Sequence, residues 1–183
     1  MTDDALPQWA EQLARSYLAT LPRRLAHVVG VARHAAQAAA VVDDPNLLLA
    51  AAWLHDIGYA EDLCVNDFHP VDGALYLRQV GAGERLCGLV ANHSAAQVEA
   101  RRRAIEIEWA DERTPLRDAL WWADMTTTPT GGTTSVEERV AEVQARYGTG
   151  HVVADAVAEA APYLVEAAAR TEQRIAEAAA QVK

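Results

Sequence analysis

Leu47-Leu48-Leu49-Ala50-Ala51-Ala52-Trp53-Leu54-His55-Asp56 holds the most apolar run of the chain, and it ends on an imidazole and a carboxylate. Eight apolar residues in a row, with no polar face, mark a helix buried on all sides. The run is far short of the roughly 20 residues that a membrane span needs. An ionised acid at the end of such a helix is costly unless something pairs with it, so Asp56 is the residue to explain.

Working outward, Asp43-Asp44-Pro45-Asn46 reads as a turn that also supplies a helix cap before Leu47. Upstream, helices are expected over Pro7–Leu21 and from about Arg23 to Val42, with Pro22 between them. Downstream, Gly58 closes the central helix, and a loop through Asn66-Asp67 leads to His69-Pro70. Further helices are expected over Val71–Val80, Glu84–Ala100 and Leu116–Met125, with Arg101–Thr114 as a surface loop or frayed helix. Thr126–Thr134 is the most loop-like segment. Ser135 and Glu138 form a capping-box pattern opening a helix to about Tyr147, and Val152–Val182 is a long C-terminal helix. Alanine is abundant and β-branched alternation is scarce, so the expected fold is all-α. With 183 residues, no internal repeat and no visible boundary, residues 1–183 are expected to form a single compact helical domain.

Charge narrows the partners. Sixteen Lys and Arg against 26 Asp and Glu give a net charge of −10, which disfavours a nucleic-acid polymer as partner. The two cysteines, Cys64 and Cys87, have no CxxC spacing, so no disulfide scaffold is required. The acidic start, Met1–Asp4, is not followed by the apolar stretch of a secretory signal, and neither a signal nor a membrane segment is expected. A cytoplasmic protein is the expectation. Val157, Leu164, Ala168 and Ile175 recur at spacings of 7, 4 and 7, which suits a helix packed along the domain or a homodimer contact.

Four of the six histidines, His27, His55, His69 and His93, lie among small, apolar or turn residues where core helices begin or end. Asp56 and Asp124 share that setting, Asp124 following Leu120-Trp121-Trp122-Ala123. Each histidine taken singly reads as a hydrogen-bonded boundary residue. Two acids ending two buried helices, with imidazoles about and no single arginine placed to offset them, point instead to a bound cation. Imidazoles and carboxylates without a thiolate pair suit a divalent transition metal: Fe, Mn, Co, Ni or Zn. Neighbours in a helix differ by about 100°. His55 and Asp56 therefore reach a common ion only at a helix end, or with the carboxylate bridging two ions. Six ligands exceed what one catalytic ion with open positions uses, so two ions are the better count. His34 reads as a boundary residue, His151 as surface, Trp121-Trp122 as core, Thr126-Thr127-Thr128 as a pocket mouth, and Arg101-Arg102-Arg103 as a solvated turn.

The ordered set Arg24-x-x-His27-x-x-x-Val31, Leu54-His55-Asp56-Ile57-Gly58, His69-Pro70-x-x-Gly73-Ala74, His93 and Ala123-Asp124 resembles the HD-domain superfamily of metal-dependent phosphohydrolases, over about residues 20–130. The resemblance implies an HD-type helical core. It also implies a six-ligand site of His27, His55, Asp56, His69, His93 and Asp124, with Asp56 bridging and Asp56 and His55 at the catalytic centre. Many relatives carry a lysine where Tyr59 stands here, so Tyr59 can hydrogen-bond a substrate oxygen without adding charge. Arg24 and Arg78 are the expected anion contacts. The implied reaction is hydrolysis of a phosphoester or phosphoanhydride in a small metabolite, such as a nucleotide. The alternatives are a mixed-valence di-iron oxygenase cleaving a C–C or C–P bond with O2, and a non-catalytic metal-binding or sensing module.

Overall fold

The computed structural model describes residues 5–181, so Met1–Asp4 and Val182 of the expectations above lie outside it. Among the described residues the chain forms nine α-helices and no strand, apart from one isolated bridge between Thr127 and Thr133. They are α1 (Leu6–Tyr17), α2 (Pro22–Ala35), α3 (Pro45–Leu54), α4 (His69–Gln79), α5 (Glu84–Ala91), α6 (Ala96–Arg103), α7 (Pro115–Met125), α8 (Val136–Tyr147) and α9 (Val152–Gln181). No helix is long and apolar enough to cross a membrane.

Local chemistry sets the starts. Proline occupies the first turn of α1, α2, α3, α4 and α7, where its missing N–H costs nothing. Asp44 caps α3 by accepting from the Leu47 amide at 2.9 Å. Ser135 and Glu138 make the expected capping box on α8. Helix α3 is the centre of the core: Leu48, Ala50, Ala51, Ala52 and Leu54 are fully buried, packed among α1, α2, α5 and α7. Helix α9 closes the other side against α6, α7 and α8. It is fixed to α7 by Asp118, which accepts from Arg170 at 2.8 Å and Arg174 at 3.3 Å, and by the Trp122 indole donating to Glu172 at 3.1 Å.

Several expected helices differ, the first of them ending at Tyr17 and not Leu21. Residues 23–42 are α-helical only to Ala35 and tighten into a 3₁₀ turn over Ala36–Val41. Glu84–Ala100 is not one helix. It breaks at His93–Ala95, where Ser94 and Ala95 take left-handed backbone (φ 46° and 59°). Left-handed residues other than glycine cost roughly 1–2 kcal/mol each, and what holds them here is the site beneath: Ser94 Oγ donates to Asp124. Helix α4 begins at His69, two residues before the expected Val71, and α6 runs on to Arg103.

Candidate metal centre

Helix α3 delivers His55 and Asp56 to the interior, with 0% and 2% exposure. Beyond them a 3₁₀ turn, Ile57–Tyr59, lies directly on the start of α4. Gly58 permits that contact, since a Cβ there would come within 2.1 Å of the His69 carbonyl. The close approach is what sets His69 beside Asp56. Asp72 braces the connection by accepting from the Asn66 amide at 2.9 Å and the Phe68 amide at 3.2 Å. His27 comes from α2, His93 from the break after α5, and Asp124 from the last turn of α7.

All six side chains converge. On one side, Asp56 Oδ2 lies 3.3 Å from His55 Nε2 and 3.8 Å from His27 Nε2, and His27 Nε2 lies 2.9 Å from Asp124 Oδ1. On the other, Asp56 Oδ1 lies 3.3 Å from His69 Nε2 and 3.8 Å from His93 Nε2. Both geometric conditions open to the sequence are met: α3 ends at Leu54, just ahead of His55 and Asp56, and the Asp56 carboxylate lies between two clusters. His27, His55 and Asp56 form one group of candidate ligands, and Asp56, His69 and His93 the other.

Outer contacts aim the rings. His27 Nδ1 pairs with the Thr128 carbonyl at 3.0 Å, His55 Nδ1 with Ala52 O at 2.9 Å, and His93 Nδ1 with Val90 O at 2.7 Å. Each carbonyl can only accept, so Nδ1 carries the proton and donates it, and Nε2 is the atom left to bind an ion. His69 is held differently, stacked on the Tyr59 ring at 3.9 Å.

Charge in this small volume is balanced within the protein. Burial works against the Asp56 carboxylate, but Arg24 and His55 outweigh it and hold Asp56 well below the usual carboxylate range. Burial likewise opposes Asp124, and the contacts with His27 and His55 hold it below that range. His55 loses by burial yet is raised to about 9 by the neighbouring Asp56. His93 is pushed down to about 4, by burial first and then by the adjacent His69 and His55, and burial also lowers His69. Arg24 donates to Asp56 Oδ2 at 2.5 Å and lies over the Tyr59 ring at 3.8 Å. The expectation that no arginine offsets the buried acids is thereby corrected: Arg24, one turn ahead of His27, does so.

The residues fit a metal. His55 Nε2 is buried and has no hydrogen-bond partner, its 3.3 Å approach to Asp56 lacking hydrogen-bond alignment. A buried polar atom left over amid four imidazoles and two acids is what a ligand atom without its ion looks like. The donor set of nitrogen and carboxylate oxygen suits a divalent transition ion.

A cavity of about 470 Å³ opens onto the centre, lined by Asp56, His69, His93 and Asp124 and by Arg24 and Tyr59. Arg78, the third expected substrate contact, is not there. Its guanidinium pairs with Glu108 at 2.8 Å and Glu84 at 3.3 Å and lies over Trp109, drawn to a surface cluster by nearer carboxylates. Thr126 and Thr127 do not form a pocket mouth: both are buried and hold His34. Arg101 and Arg102 pair with Glu159 of α9, while Arg103 pairs with Glu99 at 2.7 Å and lines the cavity. The sequence reading missed the far wall altogether. It comes from α8 and α9, including Arg139, Val143, Arg146 and Tyr147, and exposed His151 stands on its rim. Their spacing of i, i+4, i+7 and i+8 places the four α8 residues on one helical face, which is the signal that could have found them.

A family model described as HD domain matches residues 24–121, more than half of the chain. No curated protein and no solved structure matches it.

Proposed function

Because the chain belongs to the HD domain family, we propose that its buried centre serves a metal-dependent phosphohydrolase acting on a small phosphorylated metabolite of about nucleotide size. The observation that carries this reading is Asp56, whose two carboxylate oxygens face separate histidine pairs at the floor of an open cavity. His27, His55, Asp56, His69, His93 and Asp124 would hold one or two divalent transition ions. The chemistry such ions supply when bound is Lewis-acid polarisation of a phosphoryl oxygen and activation of water near neutral pH.

The remaining work falls to the chain itself. The backbone carbonyls of Ala52, Val90 and Thr128 fix the ring orientations, so the ligand atoms need no rearrangement. Arg24, fixed against Tyr59 at the cavity wall, presents a guanidinium whose planar fork matches phosphoryl oxygens. Burial of His27, His55, Asp56, His93 and Asp124 keeps bulk water from competing for them, while His69 stays partly exposed at the cavity. A cavity of about 470 Å³ falls within the usual range for small-molecule sites, which favours a metabolite over a polymer.

The test is metal analysis of the purified protein followed by a screen of phosphorylated metabolites. Phosphate release dependent on Mn, Co, Ni, Zn or Fe supports the reading. Consumption of O2 by an iron-loaded protein, without phosphate release, overturns it in favour of an oxygenase.

A further inference from the structure

The cavity has a second polar pole. Arg139 and Arg146 project from α8 into the wall facing the metal centre, and neither belongs to the ligand set. Arg139 is held where a guanidinium is costly: its side chain is 8% exposed and its Nε is buried without a hydrogen-bond partner. Its one ion-pair partner, Glu142, is shared with Arg146, whose Nε donates to it at 3.0 Å. One carboxylate against two guanidiniums leaves a full positive charge. These arginines also line a second cavity of about 460 Å³, together with Leu21, Pro22 and Pro129, so they form the partition between two openings. Ordinary packing would place an apolar residue at the buried position 139, whereas Arg146 is exposed at the mouth of the cavity.

We infer that Arg139 and Arg146 bind a second oxyanion of the substrate, a carboxylate or phosphate remote from the phosphoryl group at the metal centre. The substrate class is then a small phosphorylated acid. The inference rests on the phosphohydrolase reading, which supplies the first anion site. A guanidinium fork takes a carboxylate or phosphate through two parallel hydrogen bonds. An anion arriving there neutralises the charge that Glu142 leaves over. Recognition at both ends fixes the orientation of the molecule and rejects phosphate monoesters that have a neutral tail.

The test uses the full chain loaded with Mn and three inert ligand series of matched carbon length: alkylphosphonates, phosphonocarboxylates and alkane bisphosphonates. Binding is measured by calorimetry. At a chain length that spans the cavity, a doubly anionic ligand is expected to bind at least about tenfold tighter than the alkylphosphonate. A carboxylate advantage identifies the second group as a carboxylate, and an advantage for bisphosphonate alone identifies a phosphate. In Arg139→Met and Arg146→Gln that advantage is expected to shrink toward one, and in Arg146→Lys to return in part, because charge is kept without the fork. Helix content and metal content of each variant show whether it has folded. Equal affinity for all three series overturns the inference while leaving the phosphohydrolase reading intact, as does an advantage that survives both substitutions in folded, metal-loaded protein. If no phosphonate binds, the phosphohydrolase reading itself fails and takes the inference with it.

Discussion

Asp56 Oδ1 stands 3.3 Å from His69 Nε2, on the opposite side of its carboxylate from the oxygen that faces His55. Metal counting distinguishes the two sides. His69→Ala removes a ligand from one cluster only, and the metal-saturated variant is expected to hold about one ion per chain, against about two expected for the native protein. Asp56→Ala removes an oxygen from both clusters and is expected to hold less than one and to lose turnover by more than about 100-fold. Elemental analysis after dialysis reads both. Equal loss in the two variants would mean a single shared ion.

His55 and His93 sit in one centre but hold their protons in opposite ways. With its pKa raised to about 9, His55 is protonated at neutral pH, whereas His93, pushed down to about 4, is not. An ion needs the imidazole lone pair, so uptake must expel the His55 proton. Calorimetry of Mn binding near pH 7.5, in buffers of different ionisation enthalpy, is expected to show release of about one proton. Apparent affinity therefore rises with pH, by up to about tenfold per unit, and levels off above the His55 value. Binding with no proton release would place the His55 proton elsewhere.

Gly131 has φ +81°, and a Cβ there would come within 2.4 Å of the Ala26 carbonyl. The loop over Thr126–Thr134 lies clasped on α2 at this point, with Arg33 donating to the Gly131 carbonyl at 2.6 Å. Gly131→Ala is expected to cost at least about 2 kcal/mol from backbone strain and overlap. It should also weaken metal binding by roughly tenfold, because the same loop carries the Thr128 carbonyl that aims His27. Thermal unfolding of metal-free protein and chelator competition measure the two effects separately. A stability loss with unchanged affinity would show that Thr128 does not support the ligand.

Ala104 ends α6 in left-handed backbone, φ 56°, on the exposed surface. Glycine relieves that strain without opening a cavity. Ala104→Gly is expected to stabilise the protein by about 1 kcal/mol, seen as a rise in Tm of roughly 2–4 °C. An unchanged or lower Tm would mean that the turn stores no strain.

How much of this could be read beforehand depended on range. Most of the candidate ligands were legible because they lie at helix ends next to residues that betray burial, as Asp56 does after Leu47–Leu54, whereas His27, expected at a helix boundary, lies within α2. Most helix starts were legible from a proline, an aspartate or a capping box, although α4 begins at His69 despite the expectation of Val71. The break at Ser94-Ala95 was not, since neither residue favours left-handed backbone and the contact that holds the turn comes from Asp124, 30 residues away. Arg24 and Arg78 look alike as sequence, yet one is drawn to Asp56 and the other to Glu84 and Glu108, a choice made by tertiary neighbours. The wall from α8 escaped notice because it lies beyond the motif-bearing segments and reaches the cavity through packing of α8 on α9 and α7.

Helix α7 carries Asp124 inward, while from its outer side Asp118 is gripped by Arg170 and Arg174 of the tail helix. It works as a crossbar, with the tail as its counterweight. A cut that shed the chain from residue 170 onward would leave Asp118 with Arg117 as its remaining guanidinium. The seating of an innermost ligand would then answer to an event at the outermost end of the molecule.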